Sequence, residues 1–133
     1  PTMPTETVSL PIDMADCPCA GGTLDKLIQP AILVILAEGP LHGYRLVERL
    51  GEMRMLAGHK PDASGVYRFL KGMEGRGLVN SAWDTSGSGP AKRVFQMTAS
   101  GQSCLRVWIT TLEAYRDGIN SLLKAARKAA GQS

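Results

Sequence analysis

The chain has 133 residues, 44% of them hydrophobic and 20% charged, and a formal net charge of +3. This length and composition predict one globular domain with appendages, and they argue against two full domains or a strongly charged disordered chain. No apolar run is long enough to span a bilayer, so no membrane partner is expected. We expect no secretion signal, and the odd number of cysteines favours a reducing cytoplasm over a disulfide framework.

Residues 1–23 predict an arm outside the domain core, because prolines and a Gly-Gly pair interrupt them. Cys17 and Cys19 are the chemically distinctive residues of this arm. Two thiols one residue apart could supply two metal ligands or act as a redox sensor. The zinc pattern of two separated cysteine pairs is missing, and the simplest interpretation is that both thiols are inert, with no cofactor.

Apolar periodicity predicts two helices after the arm. The first runs from about Leu24 to Glu38, and Pro30 predicts a kink or a helix restart inside it. The second runs from about His42 to Gly51. The expected inward residues are Ile28, Ala31, Ile32, Ile35 and Leu36 in the first helix, and Tyr44, Val47 and Leu50 in the second.

A third helix, beginning near Asp62, has one apolar and one basic side. Its apolar stripe at helical spacing consists of Val66, Leu70 and Met73. Its opposite side carries Ser64, Tyr67, Arg68 and Lys71. A basic side with a hydroxyl and a phenol suits a DNA groove, although a solvated surface, or half-buried packing of Tyr67, is the simpler interpretation. Gly77 is the expected left-handed cap.

Two strands, Leu78 to Trp83 and Arg93 to Met97, flank a polar, glycine-rich loop with Lys92 and Arg93 at its end. Short helices followed by such a hairpin are typical of a winged helix-turn-helix, which places one helix in the major groove and the hairpin beside it. The predicted fold class is therefore mainly α, an α+β winged helix-turn-helix over residues 24–97.

Residues 98–133 predict a long C-terminal dimerisation helix. Its apolar residues alternate steps of three and four, which is a heptad seam. The seam residues are Leu105, Trp108, Leu112, Tyr115, Ile119 and Leu122. Trp108 and Tyr115 are expected in the dimer core; facing a two-fold axis, they could instead form a slot for a flat apolar effector.

Three segments, residues 36–46, 65–79 and 89–101, resemble the PadR family of bacterial transcriptional regulators in order and spacing. The resemblance extends from about Leu24 to Ala126 and implies a homodimeric DNA-binding repressor. By position, Tyr67 resembles the family's tyrosine on the recognition helix, and Lys71 a basic residue on the same face. The segment 42–44 resembles its His-Gly-Tyr turn. The segment 95–98, Phe-Gln-Met-Thr, departs from the family, which usually has tyrosine where Phe95 stands.

The sequence thus predicts a homodimeric regulator that binds double-stranded DNA and is released by an effector. The predicted DNA contacts are His42, Tyr44, Lys60, Ser64, Tyr67, Arg68, Lys71, Lys92 and Arg93. Two alternatives stay open, a sensor that uses Cys17 and Cys19 as its input and a winged-helix module that binds proteins. An enzyme is not expected, because no nucleophile motif appears and no carboxylate is placed near His42 to orient it.

Overall fold

The computed structural model describes residues 26–53 and 62–132. Within these ranges the helices are α1 (Ile28–Leu36), α2 (Gly43–Glu52), α3 (Ala63–Gly75) and α4 (Ala99–Ala129), and the strands are β1 (Leu41–His42), β2 (Val79–Asp84) and β3 (Lys92–Met97). The predicted fold class is confirmed. Cys17 and Cys19, considered above as possible metal ligands or a redox sensor, and Lys60, a predicted DNA contact, lie outside the described residues. None of the described helices is both long and apolar enough to cross a membrane.

Helix α1 forms the centre of the hydrophobic core. All five residues of its predicted inward stripe are buried, and Ile32 and Leu33 are fully enclosed. The α-helix begins at Ile28, so Pro30 lies in its first turn, where a backbone N–H would have no partner within the helix anyway. Pro30 therefore stands near the beginning of one continuous helix, and the alternative of an interior kink is wrong.

The inward side of α2 differs from the predicted one. Gly43, Leu46 and Leu50 are the buried residues, whereas Tyr44 is 48% exposed and Val47 is half-buried. At about 100° per residue, the buried set spans roughly 60° of the helix surface, while the predicted set spans roughly 120°. The narrower stripe packs against the core, and Tyr44 is left facing outward beside the hairpin.

Helix α3 agrees with the prediction at both ends. The Asp62 side chain accepts a hydrogen bond from the Gly65 backbone N–H and caps the first turn. Val66, Leu70 and Met73 are buried against the core. Gly77 has a φ of +77°, the left-handed conformation that ends a helix at no steric cost for glycine.

The sheet is antiparallel, with strand order β1-β3-β2. The predicted hairpin is confirmed to within one residue, and its register runs from Val79 opposite Met97 to Asp84 opposite Lys92. Strand β1 was not predicted, because two residues are too few to show an alternating pattern. Its pairing with β3 places His42 opposite Val94, near the loop end of the hairpin.

Helix α4 starts directly on the sheet and then leaves the core. Thr98 caps it by accepting a hydrogen bond from the Gly101 N–H at 3.0 Å. Among the predicted seam residues, Leu105 and Trp108 pack against the core of their own chain. Further along, Tyr115 is 50%, Ile119 62% and Leu122 69% exposed. The structure thus divides the predicted seam into a part covered within the chain and a part that this chain leaves uncovered.

Candidate nucleic-acid interface

A continuous groove runs between α3, the start of α2 and the β2–β3 hairpin, here called the wing. Tyr67 and Arg93 line two adjoining hollows of this groove. Lys71 lines the hollow beside α3, whereas Tyr44 and Lys92 line the one beside the wing. Five of the predicted DNA contacts, from three separate elements, therefore meet on one surface.

Two predicted contacts of α3 lie elsewhere on that helix. Arg68 is exposed and lines a different hollow, which faces α1 near Gln29 and Phe69. Ser64 is exposed in the first turn of α3. The structure thus does not bring these two side chains to the wing, although both remain on the outer side of the helix.

Tyr67 lies across the backbone of Gly43, at the first residue of α2. A Cβ atom placed at Gly43 would be 2.5 Å from the Tyr67 Oη and 2.8 Å from its Cε1, so only glycine leaves room for the ring. The Tyr67 ring also lies near the Phe95 ring, with centroids 6.3 Å apart and the planes tilted by 52°. Phe95 is buried, where a tyrosine hydroxyl would need a hydrogen-bond partner.

Arg93 is held by a network with α3 and β2. Its Nη2 lies 3.2 Å from Glu74 Oε1, and its Nε donates to Ser81 Oγ at 3.0 Å. The Ser81 hydroxyl in turn donates to Glu74 Oε2 at 2.8 Å. Sequence reasoning missed Glu74, although it lies seven residues, two helical turns, after Tyr67 and hence on the same side of α3.

Lys92 and Lys71 differ from Arg93 in lacking a carboxylate partner among the described residues. Lys92 Nζ lies 5.3 Å from the ring centroid of Tyr44, a cation–π arrangement. The Tyr44 ring stacks on His42, with centroids 5.7 Å apart. These two lysines are thus positive charges on the groove that face no ion-pair partner in the described chain.

His42 has a carboxylate beside it, and the contrary expectation is wrong. Its Nε2 lies 3.0 Å from Oδ2 of Asp84, which is 42 residues away along the chain. Asp84 Oδ1 accepts from the Oγ and backbone N–H of Ser86 at 2.6 and 3.0 Å. These two bonds, with a smaller effect of His42, hold the pKa of the Asp84 carboxyl well below its usual value.

This pair does not form a nucleophile site. The Ser86 hydroxyl bonds to Asp84 and not to His42, so the imidazole does not activate a serine. His42 occupies the N-cap position of α2, but its side chain makes no capping hydrogen bond. Among residues 26–53 and 62–132, no three His, Cys, Asp or Glu side chains lie close enough together to hold a metal ion.

The three-stranded sheet, the exposed basic side of α3 and the adjoining wing define a winged-helix, DNA-binding transcriptional regulator. Residues 32–107 match the model of the transcriptional regulator PadR-like family, and this match extends over more than half of the chain. The chain belongs to the PadR-like family. Its members are transcriptional regulators, so the expectation that this chain is not an enzyme is confirmed.

Solved structures support this assignment. A proposed transcriptional regulator from Thermoplasma acidophilum is 32% identical, with a TM-score of 0.67 over 76% of this chain and 94% of that one. A PadR family regulator from Eggerthella lenta is 25% identical, with a TM-score of 0.62 over 83% and 96%. A PadR-like regulator from Bacillus cereus, at 21% identity and a TM-score of 0.64 over 77% and 96%, shares the fold. A comparison with curated protein sequences gave no match.

Proposed function

We propose that the protein is a homodimeric repressor that binds double-stranded DNA in the cytoplasm, with α3 in the major groove and the wing beside it. The observation that carries this proposal is the placement of Lys71 and Lys92 on one groove with Tyr67, while neither lysine forms an ion pair with the described residues. Ammonium groups without partners are what a phosphate backbone attracts, and a phenol can donate to a phosphate oxygen.

The uncovered part of α4 supports the proposed dimer. This helix has 31 residues, which corresponds to a length of about 46 Å. Only its first turns pack on the core, and the seam beyond them exposes Tyr115, Ile119 and Leu122. A second copy of α4 would cover this face as a heptad seam. Two α3 helices held about 34 Å apart would then reach successive major grooves.

Release by an effector stays a prediction with two candidate inputs. A flat apolar compound would bind beside Trp108, which is half-buried at the core, and Tyr115, one heptad further along α4. The other input is oxidation or metal binding at Cys17 and Cys19. The two inputs separate experimentally, since only the first quenches tryptophan fluorescence and only the second disappears in a Cys17→Ser/Cys19→Ser variant.

The test of DNA binding starts from sequences selected out of random DNA. Affinity for the selected duplex is then measured by fluorescence anisotropy over a range of salt concentrations. We expect Lys71→Ala and Lys92→Ala each to weaken binding and to reduce the slope of log affinity against log salt by about one, because each loses one phosphate contact. Lys124→Ala, which removes an exposed lysine from the side of α4 opposite the seam, is the matched control. Unchanged affinity and slope in both groove variants would contradict the proposal.

A further inference from the structure

Four side chains form a series of contacts at the loop end of the wing strands. Asp84 ends β2 and Lys92 begins β3, so the two residues stand opposite each other at the two ends of the wing loop. His42, from β1, contacts Asp84, and Tyr44, from α2, lies between His42 and Lys92. Both ends of the loop are thus joined to the junction of β1 and α2.

The two oxygens of the Asp84 carboxylate have different partners, one in the wing loop and one at that junction. Oδ1 accepts both hydrogen bonds from Ser86, at the start of the loop, whereas Oδ2 meets the His42 imidazole. The side chains of His42 and Asp84 are about one third exposed, so water screens their attraction. The contact therefore contributes little to global stability, but it joins two segments that are far apart in the chain.

We propose that His42 and Asp84 are positioning residues that hold the loop end of the wing strands against the start of α2, and thereby place Lys92 where it meets DNA. This inference rests on the proposed DNA-binding function. It gives His42 a different role from the predicted one: the imidazole faces a carboxylate within the protein, and its effect on DNA passes through Asp84, Tyr44 and Lys92.

Asp84→Asn separates this role from a simple effect of charge. The substitution removes a negative charge close to the groove, and electrostatics alone would then tighten DNA binding. If Asp84 instead positions Lys92, the same substitution should weaken DNA binding. We expect affinity to fall roughly five- to tenfold, the size of one weakened hydrogen bond or charged contact. The salt slope should also fall by about one as Lys92 loses its phosphate contact.

Glu52→Gln is the matched control for the loss of a carboxylate. Glu52 is exposed at the end of α2 and forms no ion pair with the described residues, so this variant should bind DNA with unchanged or slightly higher affinity. Hydroxyl-radical footprints should show that Asp84→Asn loses protection where the wing lies and keeps protection in the major groove under α3. Thermal unfolding should remain within a few degrees of the wild type, since the two side chains are about one third exposed and water screens their contact.

Substitutions of His42 provide an independent test of the same contact. His42→Ala should weaken DNA binding about as much as Asp84→Asn. The double variant should bind DNA about as well as the weaker-binding of the two single variants, because both substitutions disrupt the same contact. His42→Gln keeps a side-chain N–H at a similar reach and should restore part of the affinity and of the salt slope.

Three results would overturn the inference: tighter or unchanged DNA binding by Asp84→Asn, independent addition of the two single effects, or no recovery in His42→Gln. If these occur while Lys71→Ala and Lys92→Ala still weaken binding, the proposed function stands and only the positioning role fails. If the lysine variants also bind normally, the DNA-binding groove itself is misassigned.

Discussion

At the scale of single residues, the place of Tyr67 in the groove depends on glycine at position 43, which has no side chain. Gly43 begins α2 with ordinary helical geometry, and what requires glycine there is the ring of Tyr67 lying against its Cα. The atoms that a Cβ would meet belong to the far end of that ring, which can rotate away. A larger residue at position 43 is therefore expected to displace the phenol without unfolding the domain.

We predict that Gly43→Ala weakens DNA binding while the unfolding temperature changes little. The alanine Cβ would lie within 3 Å of Tyr67 atoms, so the phenol must leave the position from which it is proposed to contact DNA. Anisotropy with the selected duplex and thermal unfolding measure the two effects. Gly72→Ala, at a helical glycine of α3 with open space around it, is the control and should keep full affinity. Normal binding by Gly43→Ala would show that the Tyr67 position is unimportant.

At the scale of elements, the start of α4 is bonded to the turn between α3 and β2. Thr98 Oγ1 lies 2.6 and 3.0 Å from the carbonyl oxygens of Gly77 and Leu78, to which its hydroxyl can donate. Gly101 is buried, and a Cβ there would be 2.1 Å from the Leu78 carbonyl oxygen. Backbone atoms cannot rotate away, so this close approach sets the direction in which α4 leaves the domain.

Gly101→Ala is therefore expected to destabilise the fold by about 1–3 kcal/mol, the usual cost of overpacking a tight contact. Denaturant unfolding followed by circular dichroism measures the change. Gly118→Ala on the same helix has nothing within 4 Å of the added carbon and should keep or raise stability, because alanine favours the helix by up to about 1 kcal/mol. Equal midpoints for Gly101→Ala and the wild type would contradict the described packing.

At the scale of the whole molecule, two successive parts of α4 have different surroundings. Its first turns complete the core through Leu105 and Trp108, and its later turns present an apolar face to the outside. A substitution at the first surface would damage the fold and any dimer together. The proposed dimer is therefore best tested in the later turns, where Ile119 is exposed in the isolated chain.

We predict that Ile119→Asp yields a folded monomer with weakened binding to a duplex that carries two half-sites. The aspartate remains hydrated in the monomer, but burying it in a seam without a partner would cost several kcal/mol, as an order of magnitude. Sedimentation equilibrium measures the association state. Ser121→Asp introduces the same charge away from the seam and should leave a dimer. If Ile119→Asp sediments as a dimer, the interface lies elsewhere.

Local patterns were sufficient for α3 and for the wing. The buried stripe of α3, the Asp62 cap and the left-handed Gly77 each depend on neighbours within a few residues, and all three are confirmed. The pattern of α2 was ambiguous over ten residues: Leu50 is buried as predicted and Val47 packs at the edge of the core, but Tyr44 is exposed and Leu46 is buried in its place. Periodicity alone is weak in so short a helix, because several spacings fit an apolar stripe.

The sequence by itself determined the fold class, the basic side of α3 and the apolar seam of α4, because these follow from helical and strand periods and from capping chemistry within short segments. Only the tertiary structure decided that His42 contacts Asp84 and that Arg93 forms an ion pair with Glu74. It also decided that the seam of α4 packs on the core of its own chain as far as Trp108. Each of these depends on how strands and helices far apart in the chain come together, and the spacing of residues along a sequence does not encode that distance.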